Sequence, residues 1–179
     1  MRLPHRTVLF GAAGAVVLAG GIGLVAYASG GSSGPAAPKL AVVDPYIPQP
    51  ASPDVAAGYL VVRNDGDAAD RLVAVTAPFA PSAEIHESRG NSMQQVQGLD
   101  IPAHGQGVLG RGNLHLMFMD PTRQLKKGES VDVTLTFAKS APITVHVPVL
   151  GAADRPGDPG VPSGPAATAG SPEHTGHGG

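Results

Sequence analysis

The chain has 179 residues, no cysteine, and a formal charge of -2 from 12 basic and 14 acidic side chains. Without cysteine there is no disulfide scaffold, no thiolate zinc site, no catalytic cysteine and no copper–thiolate electron-transfer centre. No run of Lys or Arg stands behind the charge, so nucleic acid is not an expected partner.

The N-terminus reads Met1-Arg2-Leu3-Pro4-His5-Arg6 and continues as an apolar run from Thr7 to about Tyr27. Two arginines ahead of such a run form the n-region and h-region of an export signal, and Ala26-Tyr27-Ala28 has the small-x-small form of a cleavage site. The run also approaches the roughly 20 residues that span a bilayer. Residues 1–28 therefore read as a cleaved signal peptide or as an uncleaved membrane anchor with its arginines on the cytoplasmic side. No cysteine follows that would carry a lipid. Either way the remainder is expected to be extracytoplasmic, secreted or held at the outer face of the cytoplasmic membrane. Residues 29–38 are entirely Gly, Ser, Pro and Ala, a flexible linker.

Short apolar stretches separated by turn residues follow: Leu40–Asp44, Gly58–Asn64, Arg71–Thr76, Ala83–Glu87, Met93–Val96, Gly107–Leu109, Leu114–Met119, Val131–Phe137 and Ile143–Val149. Asn64-Asp65-Gly66-Asp67 and Lys126-Lys127-Gly128-Glu129 are strong turn signals. No capped stretch of helical period occurs after residue 30. This spacing predicts an all-β domain over residues 39–150, a β-sandwich or Greek-key barrel; the domain is expected to be monomeric. From Gly151 to Gly179 the composition returns to Gly, Pro, Ala and Ser, which predicts a disordered tail. It closes on Glu173-His174-Thr175-Gly176-His177, with two imidazoles that suit Cu(II).

One strand carries chemistry. Read with a period of two, Leu114, Leu116 and Phe118 fall on one face, and His115, Met117 and Met119 on the other. The first face is an ordinary sheet core; the second bears imidazole and thioether, the donors of a soft metal ion. His86 and Met93 upstream offer the same donors. A single Met in a strand is most often a core filler, and a lone His is most often solvated or hydrogen-bonded. Three of the 4 Met beside two of the 7 His is another matter, because the core face is already supplied by Leu and Phe. His104 reads as a solvated loop residue, His146 as a strand residue without a ligand role, and His5 as cytoplasmic. No Ser-His-Asp order or close carboxylate pair suggests an enzyme.

Ala56-Ala57-Gly58-Tyr59-Leu60-Val61-Val62-Arg63-Asn64-Asp65-Gly66, Leu72-Val73-Ala74-Val75, Glu84-Ile85-His86-Glu87, Ile101-Pro102-Ala103 and Leu114-His115-Leu116-Met117 together resemble the PCu(A)C copper-chaperone family. The resemblance spans essentially the whole of residues 39–150. It implies a cupredoxin-like Greek-key β-fold and a Cu(I) site of one His, one Met and a His-x-Met pair, here His86, Met93, His115 and Met117. Between Met93 and His115 lie 21 residues, as in the family, whereas the 6 between His86 and Met93 make a shorter loop than the family's. Met119, on the face of Met117, is the alternative to Met93. The resemblance further implies delivery of copper for the CuA centre of cytochrome c oxidase, to a Sco-type thiol protein or to the CuA-bearing subunit itself. Copper sequestration is the runner-up expectation, and a metal-free anchored β-sandwich adhesion module the third.

Overall fold

The computed structural model describes residues 36–90, 92–161 and 167–168. In chain order the strands are β1 (Leu40–Pro48), β2 (Val55–Asn64), β3 (Asp70–Thr76), β4 (Ser82–Arg89), β5 (Ser92–Gln95), β6 (Leu99–Ile101), β7 (Gly105–Leu109), β8 (Leu114–Met119), β9 (Ser130–Phe137), β10 (Ile143–Leu150) and β11 (Ala167–Thr168). No helix occurs among the described residues. The N-terminal segment 1–28 lies outside them.

Alternation builds the core. In β9 the buried positions are Val131, Val133, Leu135 and Phe137, every second residue, and β10 alternates likewise through Ile143, Val145, Val147 and Val149 before ending on a buried Leu150. A large apolar side chain at each such position contributes roughly 1.5–3 kcal/mol when fully buried. The strands form one continuous path, β5-β4-β8-β2-β1-β10-β9-β3-β6, with β7 paired to β2 and β11 to β1. All pairs are antiparallel except β1 with β10. The path curls into a half-barrel of cupredoxin type. Its two flanks meet at Gly107 of β7, where an added Cβ would lie 2.8 Å from Leu99 of β6.

The curl depends on β1. Its first half pairs with β2 through Val43, the register then shifts, and Ile47 and Pro48 pair in parallel with Val149 and Leu150. Asp44 at φ 50° makes the bend, a left-handed conformation that Asp tolerates better than most side chains. The strand runs on past Asp44, where the apolar stretch Leu40–Asp44 ends in the sequence. It continues because a bulge needs no ladder hydrogen bond from Pro45. The three-residue β6 was not anticipated, being too short to show a period.

Beyond Leu150, residues 151–161 run as successive turns. Asp154 accepts from the Gly151 N–H at 3.1 Å and from Lys127 Nζ at 2.9 Å. Ala167 and Thr168 pair with Val42 and Ala41. His174 and His177 lie outside the described residues.

Candidate metal centre

The strand order puts β5, β4, β8 and β2 side by side, and register decides which side chains share a face. His86 lies directly across from His115, Glu84 across from Met117, and Ser88 across from Met93. Because β-strand faces alternate, Glu84, His86, Ser88, Met93, His115, Met117 and Met119 all fall on the face opposite Ile85, Leu116 and Phe118. Leu116 and Phe118 are buried in the core as expected, with the Phe118 ring 4.9 Å from that of Phe79.

The β4–β5 hairpin explains how the short spacing works. Arg89 pairs with Ser92, which leaves a two-residue loop that begins at Gly90, φ 61°. That loop returns Met93 to the face of His86. Met93 is 61% exposed, on an edge strand.

Met93, His115 and Met117 line one open cavity of about 420 Å³, together with Tyr59, Ala152 and the Pro48–Ala51 segment. His86 adjoins it, with its ring centroid 6.2 Å from that of His115. Met119 is not among the lining side chains; it pairs with Val55 and Ser82, two residues further along β8. Met93, His115 and Met117 thus share the cavity lining; His86 and Met119 do not, His86 standing beside it as the register partner of His115.

His115 is only 5% exposed although it is on the face away from the core. Tyr59 flanks it at 6.4 Å between centroids, opposite His86. Its Nδ1 is 2.9 Å from the Asn113 carbonyl oxygen, so Nδ1–H donates there and Nε2 keeps its lone pair. On His86, Nε2 is 2.8 Å from Glu84 Oε2, while Nδ1 is fully buried without a hydrogen-bond partner. An orphaned buried imidazole nitrogen costs about 1–3 kcal/mol and calls for an ion or water to complete it. Among the described residues no group of three or more His, Asp and Glu is arranged to hold a metal ion.

A cluster that sequence reading missed borders the site. Tyr46 and Tyr59, paired across β1 and β2, have ring centroids 5.2 Å apart. The Arg111 guanidinium lies over both, 5.9 and 5.6 Å from their centroids, and donates to the Tyr46 hydroxyl and the Ala152 carbonyl. Burial pushes the Tyr59 phenol above its ordinary pKa, with Arg111 opposing and Tyr46 adding to the rise. Nothing in the spacing of Tyr46, Tyr59 and Arg111 announces the cluster, because only strand pairing assembles it. His104 and His146 are exposed and meet Asp67 and Asp132.

Comparison with known proteins agrees with this architecture. The copper-free PCuAC domain of PmoF1 is 28% identical over 63% of this chain and 94% of its own, with a TM-score of 0.55. The Cu(I) form of DR1885 from Deinococcus radiodurans is 27% identical over 70% of this chain and 85% of its own, with a TM-score of 0.54. The copper-bound PCuAC domain of PmoF2, 22% identical over 63% and 93% with a TM-score of 0.57, shares the fold. No curated protein matches the chain. Curled all-β topology and these likenesses define a PCu(A)C domain of cupredoxin-like fold. The chain belongs to the LpqE-like lipoprotein family of that class, whose model matches residues 40–149.

Proposed function

We propose that this protein is an extracytoplasmic copper carrier, not an enzyme, which holds Cu(I) between His86, Met93, His115 and Met117 and passes it to a thiol protein. The observation that carries the reading is the buried, unpartnered Nδ1 of His86, 6.2 Å ring to ring from His115 and on one sheet face with two thioethers. Two imidazoles and two thioethers are neutral, polarisable donors, a set that suits a soft monovalent ion and gives Zn(II) little. Copper is here the cargo. Met93 stands exposed at the rim, where it can yield to an incoming ligand without the sheet moving.

The acceptor is a dithiol copper protein of the Sco type or the CuA-bearing oxidase subunit. Thiolate is a stronger donor to Cu(I) than thioether, so the ion moves downhill through a shared-ligand intermediate. Having no cysteine, the carrier itself forms no disulfide in an oxidising compartment. The apolar run from Thr7 to Tyr27 serves as export signal or membrane anchor, without the lipidated cysteine that a lipoprotein anchor requires. Among the described residues no helix is long and apolar enough to cross a membrane.

The test is a competition titration of the full chain with Cu(I) and Zn(II), followed by mixing the Cu(I) form with a reduced dithiol copper protein. Cu(I) should bind once per chain and far more tightly than Zn(II), and transfer should outpace spontaneous release. Equal Zn(II) affinity rejects the site. Copper that leaves only at the dissociation rate turns the reading to sequestration.

A further inference from the structure

We infer that Glu84 is a positioning residue for the copper site: it fixes His86 in the Nε2–H tautomer, so that His86 offers Nδ1 to the metal while His115 offers Nε2. The inference rests on the copper-site reading above and adds how the two imidazoles are prepared for it. A neutral imidazole carries one proton, and the hydrogen bond made by one nitrogen determines which nitrogen keeps the lone pair. A carboxylate only accepts, so the 2.8 Å contact between Glu84 Oε2 and His86 Nε2 puts the proton on Nε2. The nitrogen left with the lone pair is Nδ1, the buried atom without a partner. At His115 the Asn113 carbonyl does the same job at the other nitrogen, 2.9 Å from Nδ1. The two rings, on residues paired in register, thus keep their lone pairs on different nitrogens.

Glu84 is itself held in place. Ser82 Oγ donates to its Oε1 at 3.5 Å, and the ladder sets Glu84 directly across from Met117. Its side chain is 31% exposed beside a His86 side chain that is 16% exposed. Four neutral donors leave the full positive charge of Cu(I) on the site; the Glu84 carboxylate, bonded to one ligand and opposite another, offsets it in surroundings partly shielded from water. Glu87, one residue past His86, faces the other way in the strand and pairs with Arg89 at 2.7 Å, so it makes a control on the same element.

The experiment uses the full chain with Glu84→Gln, Glu84→Leu, Glu87→Gln and His86→Ala. Long-range proton–nitrogen NMR of the copper-free proteins reads the tautomer of each histidine, and titration against a chromogenic Cu(I) chelator reads affinity. In the wild type His86 should be the Nε2–H form and His115 the Nδ1–H form. Both Glu84 variants should mix the His86 tautomers and bind Cu(I) roughly 10- to 100-fold more weakly, the range typical of lost outer partners. Glu87→Gln should match the wild type. An Nδ1–H form of His86 in the wild type, or wild-type Cu(I) affinity in Glu84→Gln, overturns the inference. If His86→Ala leaves affinity unchanged, the site reading itself fails; if it weakens binding while the Glu84 variants do not, only the role of Glu84 falls.

Discussion

Asp70 gathers hydrogen bonds from Arg71 N–H, Lys139 N–H, Ser140 N–H and the Ser140 hydroxyl, which ties the start of β3 to the turn after β9. Burial raises its pKa, but the four donors together outweigh it and hold the carboxyl below the ordinary Asp value. A carboxyl whose pKa is lower folded than unfolded stabilises the protein above the unfolded value, about 3.9. That contribution disappears as pH falls through the folded value. Asp70→Asn should therefore cost about 2 kcal/mol at pH 7. The gap from the wild type should close below roughly pH 4, read from urea unfolding across pH. A gap that persists at low pH would mean the loss comes from packing. Asn64, fully buried, is the neutral counterpart: its Oδ1 accepts from Lys39 and Gly66 N–H, and its Nδ2 donates to the Ala68 and Pro102 carbonyls.

At the scale of the element, β8 and the β4–β5 hairpin divide the methionines by role. Met117 lines the cavity from a central strand, Met93 from an exposed edge, and Met119 is two residues, about 7 Å, further along β8. Met→Leu keeps the volume and removes the sulfur, so stability should change by less than about 1.5 kcal/mol. Met117→Leu should weaken Cu(I) binding at least about tenfold, equivalent to about 1.4 kcal/mol. Met93→Leu should weaken it as well and speed release, and Met119→Leu should leave it within about twofold of the wild type, or about 0.4 kcal/mol. Chelator competition and stopped-flow release check the series. A Met119 variant that loses copper while Met93→Leu keeps it would exchange the two assignments.

At the scale of the whole molecule, the chain after Leu150 belongs in part to the domain. Ala152 lines the cavity and accepts from Arg111, and Asp154 binds Lys127. A cut after Thr168 keeps these contacts and the β11 pairing and removes His174 and His177. We propose that these two histidines help capture Cu(II). The shortened chain should then lose Cu(II) binding but keep its Cu(I) affinity and its unfolding midpoint. Unchanged Cu(II) binding by the shortened chain would dismiss a role for the tail.

What the sequence alone determined is everything with a short period: the all-β class, the extent of β8 from Leu114 to Met119, its core face of Leu116 and Phe118, and the absence of thiolate chemistry. Side-chain alternation is written into each strand and needs no partner to be read. The family likeness added the His and Met positions as a set. Tertiary structure alone decided how separate strands line up. The bulge at Asp44 carries β1 from one flank of the half-barrel to the other. Register sets His86 against His115 and Glu84 against Met117, and a two-residue hairpin returns Met93 rather than Met119 to the cavity. Pairing of β1 with β2 builds the Tyr46–Tyr59 stack under Arg111. Register is a property of two distant segments, and a slip of one residue would turn every one of these side chains to the opposite face.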